Sequence, residues 1–163
     1  MTLRFQGRVW TVGDHIDTDM ILPSRFLYET DVDALRGHLF EGLDPTLGQR
    51  IQPGDIFVAG GNFGCGSARP APRAMHMCGV SCIVARTFSR TFLRSAIDTG
   101  VPILECDLTG KVSNGDVVTV DVGAAHVELP SGELVRGQAF PGFILDMIRE
   151  GGVVPYTRNH LVS

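Results

Sequence analysis

The chain has 163 residues, 44% of them hydrophobic and 20% charged, the composition of an ordinary globular domain large enough to enclose a core. A net charge of −4 with no basic run weighs against a nucleic-acid partner. No apolar stretch reaches transmembrane length, and Met1-Thr2-Leu3-Arg4-Phe5 lacks a signal-peptide core, so a cytoplasmic protein without membrane contact is expected.

In chain order, Leu3 to Val12 alternates weakly and reads as a strand, followed by the polar turn 13–19. Asp31 to Leu39 predicts a short helix with Asp31 as N-cap, and Glu41 to Gly54, with two prolines and several glycines, reads as loop. Asp55 to Ala59 and Cys82 to Ala85 are apolar runs of buried-strand type. Pro72 to Cys78 and Thr87 to Thr99 have helical spacing, and Pro102 to Glu105 is a third apolar strand. Strands alternating with helices imply parallel pairing. Val117 to Val122, Ala125 to Leu129 and Leu134 to Gln138, separated by turn residues, predict an antiparallel meander. Phe143 to Arg149 predicts a final helix stopped by Gly151-Gly152. No repeat or linker interrupts the pattern, so residues 1–163 are expected to form a single α/β domain.

The segment richest in chemistry runs from Gly60 to Arg69, GGNFGCGSAR, directly after a strand. Glycines let the backbone approach a ligand and adopt positive φ. Successive amides at the start of a helix then form an anion site. Ser67 adds a hydroxyl and Arg69 a bidentate donor for carboxylate or phosphate. No Gly-Lys-Ser/Thr ends the loop, the glycine order is wrong for a dinucleotide fingerprint, and Ser67 lacks the flanking glycines of a nucleophile elbow. A tight strand-to-helix turn without ligand is the other reading of the same residues.

The cysteines, Cys65, Cys78, Cys82 and Cys106, contain no CxxC pair. His76 is the one further candidate ligand near Cys78 and Cys82, so free thiols are expected, with neither a disulfide nor a metal in this chain. Asp17 and Asp19 are either catalytic carboxylates or, as the turn context favours, side chains bonding nearby amides, and Thr18 reads like them. Arg25, Arg73, Arg86, Arg90 and Arg94 read as surface or interface cations; Arg90 and Arg94, four apart, could flank the pocket. His15, His38, His76, His126 and His160 form no local triad with Ser67. A Ser–His hydrolase therefore requires the fold to bring one of them to it.

Three motifs together carry a resemblance: Asp17-Thr18-Asp19-Met20-Ile21-Leu22-Pro23, the loop Asn62-Phe63-Gly64-Cys65-Gly66-Ser67, and Gly151-Gly152-Val153-Val154-Pro155-Tyr156. In order and spacing the chain resembles the small subunits of isopropylmalate dehydratase and the related homoaconitase and dimethylmalate dehydratase, and the swivelling domain of aconitase. The resemblance implies a compact β/β/α swivelling domain, with mixed parallel and antiparallel sheets and flanking helices. It also implies a reversible dehydration–rehydration of a hydroxy di- or tricarboxylate. A large iron–sulfur subunit would carry a 4Fe-4S cluster, with this chain binding no cofactor, in a heterodimer or heterotetramer. Ser67 matches the family serine that removes the carbon-bound proton, and Arg69 the arginine that grips a substrate carboxylate; Gly66 and Asn62 belong to the same substrate-binding loop.

The family pattern Gly-Ser-Ser-Arg-Glu is here Gly66-Ser67-Ala68-Arg69-Pro70, followed by Ala71-Pro72, so one hydroxyl and one acid are missing. Because prolines are harmless only in a first helical turn, Arg69 is expected near the N-cap with Pro70 at the first helical position. The family's specificity loop corresponds to Phe26, Leu27, Tyr28 and Glu29. Tyr28 stands where homoaconitate enzymes carry an arginine, and Glu29 would repel a nearby carboxylate; both facing solvent is the alternative. A partly apolar 2-hydroxydicarboxylate is favoured, with isopropylmalate, a leucine-biosynthesis intermediate, leading. Homoaconitate, methylmalate or dimethylmalate, or a non-catalytic binding paralogue, remain the alternatives.

Overall fold

The computed structural model describes residues 3–161. Its centre is strand β1 (Arg4–Thr11), which changes partner along its length. Arg4 to Arg8 pair antiparallel with β5 (Val117–Asp121), while Val9 to Thr11 pair in parallel with β2 (Ile56–Ala59). Beyond β2 lie β3 (Cys82–Ala85) and β4 (Ile103–Glu105), both parallel; beyond β5 lie β6 (His126–Glu128) and β7 (Leu134–Arg136), both antiparallel. The result is one seven-stranded mixed sheet in the order β4-β3-β2-β1-β5-β6-β7. Gly7 sits just before the change of partner, where any Cβ would collide with the Gly54 carbonyl.

Every residue of β2 and β3 is buried, as expected for parallel strands covered on both faces. Alternate residues divide between two apolar layers, because strand side chains have period two. Phe57, Ile83 and Ile103 join the layer of Ile21, Leu35, Met75 and Phe92. Ile56, Val84 and Leu104 join that of Val118, Val120, Val127 and Ile148. Each such fully buried side chain contributes about 1.5–3 kcal/mol.

The first layer is covered by α1 (Thr18–Ile21), α2 (Val32–His38), α4 (Ala71–Met77) and α5 (Arg90–Asp98). Asp31 caps α2 by accepting from the Asp33 amide, as expected. The segment read as loop contains one helical turn, α3 (Leu47–Arg50), with Leu47 and Gly48 buried. Helix α5 starts three residues later than its spacing suggests, since Phe88 pairs with Phe63 and Ser89 serves as N-cap. After α6 (Gly142–Arg149) the chain continues into α7 (Val153–Leu161), which periodicity did not reveal.

Helix α4 begins at Ala71, one residue earlier than the spacing from Pro72 suggests and one later than expected from the prolines. Pro70, not Arg69, is the N-cap, and the first helical bond runs from the Ala74 amide to the Pro70 carbonyl at 3.1 Å. Pro72 then falls among the first-turn positions whose N–H has no intrahelical acceptor, so neither proline costs a helical bond.

Candidate active site

The glycine loop leaves the end of β2 and is clamped between two segments. From one side, the Gly61 amide donates to Asp14 Oδ1 at 2.7 Å, the Gly64 amide to the Ile16 carbonyl at 2.7 Å, and the Thr18 amide to the Cys65 carbonyl at 2.9 Å. From the other, the Asn62 amide donates to Thr87 Oγ1 at 2.8 Å, the Phe63 amide to the Thr87 carbonyl at 3.0 Å, and Ser89 Oγ to the Gly64 carbonyl at 2.8 Å. Phe63 is fully buried and packs edge-on against Phe92, which stacks on Phe88. Such pairs contribute about 0.5–1.5 kcal/mol each beyond burial. A rigid floor thus lies beneath an exposed rim formed by Gly66, Ser67 and Ala68.

The backbone turns through positive φ at Gly64 (79°) in the floor and at Gly66 (92°) on the rim. Among the described residues nothing accepts from the amides of Gly66, Ser67, Ala68 and Arg69. Four consecutive donors therefore remain available to an anion. The buried Thr18 hydroxyl donates to the Ser67 carbonyl at 2.6 Å and fixes the residue from below. Arg69 folds back over it: Nε donates to Ser67 Oγ at 3.2 Å, Nη1 donates to the Leu22 carbonyl at 3.2 Å, and Nη2 pairs with Asp19. A charged donor on Ser67 Oγ favours the ionised oxygen over the neutral hydroxyl. No histidine is hydrogen-bonded to Ser67; the Ser–His arrangement is absent among the described residues.

Beside Arg69, a mostly apolar groove of about 270 Å³ opens between the 26–30 segment and α4, with Leu22, Phe26, Leu27, Pro70, Ala74 and Met77 in its walls and Tyr28, Glu29 and Arg73 also lining it. Leu22 joins the two features, since it lines the groove while its carbonyl holds Arg69.

The sequence profile of the aconitase C-terminal domain matches residues 14–107, which include the whole clamp and loop. The isopropylmalate/citramalate isomerase small subunit of Methanocaldococcus jannaschii is 40% identical over 161 residues, covering 97% of this chain and 96% of its own. The chain belongs to the isopropylmalate dehydratase small-subunit family. The 3-isopropylmalate dehydratase small subunit of Halothermothrix orenii is similarly 42% identical over 155 residues, covering 93% of this chain and 94% of its own. A crystal structure of 3-isopropylmalate dehydratase from Methanocaldococcus jannaschii superposes with a TM-score of 0.89 at 30% identity, covering 98% of this chain and 96% of that one.

Within this small-subunit fold, the residues singled out from sequence are placed unequally. Ser67, Gly66 and Arg69 share the rim. Asn62 lies deeper in the loop at φ 54°, its side-chain amide 3.3 Å from His15 Nδ1. Phe26, Leu27, Tyr28 and Glu29 all line the groove, and Phe26 also stacks on His38 with centroids 4.5 Å apart. Tyr28 is 94% exposed. The Glu29 carboxylate accepts from the amides of Thr30 and Asp31 at 3.0 and 2.9 Å, a local turn ahead of α2.

Asp17 bonds the Met20 amide and caps α1, as its turn context suggested. Asp19 does not behave that way; it reaches across to Arg69. Thr18 likewise proves to be a loop anchor. No local pattern signals either role, because each partner lies about fifty positions away in the chain. Arg86 pairs with Asp14 at 3.4 Å, whereas Arg90 and Arg94 border a separate concavity along α5.

Among the described residues no group of three or more His, Cys, Asp or Glu side chains can hold a metal. Cys78, Cys82 and Cys106 are buried free thiols, and burial pushes all three up, Cys106 to about 11. With no three such ligands gathered in one place, the described residues of this chain do not fit an iron–sulfur cluster.

Proposed function

We propose that this chain is the small subunit of a cytoplasmic hydro-lyase that dehydrates and rehydrates a 2-hydroxydicarboxylate, with isopropylmalate the leading substrate. In this reading residues 1–163 act as one swivelling domain, docked against a large subunit whose 4Fe-4S cluster supplies Lewis-acid chemistry at the departing hydroxyl. The observation that carries the reading is the Arg69 Nε to Ser67 Oγ contact beside four unpartnered amides. A serine hydroxyl is too weak a base unless its oxyanion is stabilised, and a guanidinium with backbone donors is a means of stabilising it.

Ser67 then takes the proton from the carbon adjacent to the hydroxyl-bearing one, and Arg69 orients the substrate through a carboxylate. Thr18 holds the Ser67 backbone in place while this happens. The groove, whose walls at Phe26, Leu27 and Met77 are apolar, takes the alkyl branch, which favours a partly apolar acid. The names of the relatives support the same substrate class.

The test is reconstitution. The chain is mixed with a candidate large subunit under anaerobic, iron-loaded conditions, and absorbance of the unsaturated acid is followed. Turnover only in the mixture supports the proposal, complex without turnover supports a binding paralogue, and turnover by the chain alone refutes the two-subunit reading.

A further inference from the structure

A guanidinium offers two faces that can grip a carboxylate through paired N–H groups, one formed by Nε and Nη2 and the other by the two terminal nitrogens. In Arg69 both faces are already engaged. Ser67 Oγ sits on Nε, Asp19 Oδ1 on Nη2, and the Leu22 carbonyl on Nη1. The Nε–Nη2 face therefore holds two oxygens side by side, the pattern a carboxylate ligand presents, and one of the two belongs to a carboxylate.

The three acceptors differ in freedom. The Leu22 carbonyl belongs to the C-cap of α1, whose amide is bonded to Thr18 and whose side chain is buried. Ser67 is anchored through its carbonyl by Thr18. The Asp19 side chain is 69% exposed while that of Arg69 is only 14% exposed. Arg69 is the one described partner of the Asp19 carboxylate. The guanidinium is thus fixed from three sides, and the aspartate is the partner that can leave.

We propose that Asp19 is a positioning residue that acts as a stand-in carboxylate: it holds Arg69 in its carboxylate-bound pose and cedes Nη2 when the substrate's carboxylate arrives. The inference rests on the reading that Arg69 grips substrate. Its physical content is competition. A ligand binding a site occupied internally for part of the time shows an affinity reduced by the fraction of time the site is free. The device also selects: an anion can replace an anion on Arg69, whereas a neutral analogue would forfeit a charge-assisted bond without restoring it.

Asp19→Asn keeps the acceptor oxygen and the volume but removes the charge. The isolated wild-type and D19N chains are titrated with isopropylmalate while the NMR signal of the Arg69 Nε–H, assigned by its loss in R69K, is followed. The expected result is binding about three- to fivefold tighter in D19N, with D19E returning to the wild-type value. Equal or weaker binding in D19N overturns the proposal, and so does a signal that moves in neither chain, because Arg69 would then meet no carboxylate here. In the reconstituted enzyme KM should fall by the same factor, whereas a rise in KM overturns the proposal. If the wild-type mixture never turns over, the hydro-lyase reading fails, while the titration still decides the role of Asp19.

Discussion

The Thr18 hydroxyl and the Ser67 carbonyl are joined by a 2.6 Å hydrogen bond, with Thr18 only 3% exposed. This bond ties the first turn of α1 to the rim of the glycine loop. Whatever Ser67 does depends on it, because nothing else in the 14–18 segment bonds that residue. Thr18→Val keeps the shape and removes the donor. It should cost about 1–3 kcal/mol by leaving the carbonyl without its partner. For a chain of this size the thermal midpoint should then fall by about 2–4 °C per kcal/mol. Turnover in the reconstituted enzyme should fall more steeply than KM rises, since the loss concerns the placement of Ser67.

Gly64 tests the floor of the site. Its φ is 79°, and a Cβ there would collide with the Phe92 ring and with the Phe92 Cβ, which cannot swing aside. Gly64→Ala should cost about 3 kcal/mol or more from the combined φ penalty and overpacking. Urea unfolding should show the loss as a lower midpoint. Gly66→Ala, where only ordinary contacts at 3.4 Å and beyond await a Cβ, should cost only the φ penalty.

Acid should loosen the clamp. The Asp14 carboxylate is held below its usual range first by the Gly61 amide and then by Arg86. Glu41 is lowered by His38 and then Arg25, and Asp44 by the Thr46 amide and hydroxyl. A carboxylate depressed in the folded state contributes stability that is complete above its unfolded value and is lost as pH falls through the folded one. The thermal midpoint should therefore decline as pH drops below about 4. Asp14→Asn should lower the midpoint near neutrality and shrink the acid-dependent part of the decline, both readable by calorimetry.

Thiol chemistry should single out one cysteine. Cys65 is half-exposed next to Gly66, whereas Cys78, Cys82 and Cys106 are buried with their thiolate forms disfavoured. Iodoacetamide applied to the native chain should modify Cys65 first, as mass spectrometry of peptides would show. Modification should also reduce turnover, because the adduct sits beside the rim.

Much of this was legible in the sequence because strands and amphipathic helices announce themselves by period. The apolar runs at 55–59, 82–85 and 102–105 and the meander after Val117 all appear, with Asp31 capping α2. Helix α7 stayed hidden because Val153-Val154-Pro155 has the look of an extended terminus, yet the proline falls in the first turn, where its missing N–H is tolerated. The single turns α1 and α3 are too short to show any period. Within the site, the glycine loop and the candidacy of Ser67 and Arg69 could be read from adjacency and family resemblance. The clamps from Asp14, Thr18 and Asp19 could not, because contacts between segments about fifty residues apart leave no local trace.

The central claim is that Ser67 serves as the base, and the measurement that tests it most directly is turnover of the reconstituted enzyme carrying Ser67→Ala. Ser67 is exposed and its backbone is held independently of its side chain, so the variant should fold and bind the large subunit as the wild type does. Turnover should fall by about a hundredfold to ten-thousandfold, the contribution of a positioned proton acceptor. A complex that forms normally and retains wild-type turnover would contradict the account.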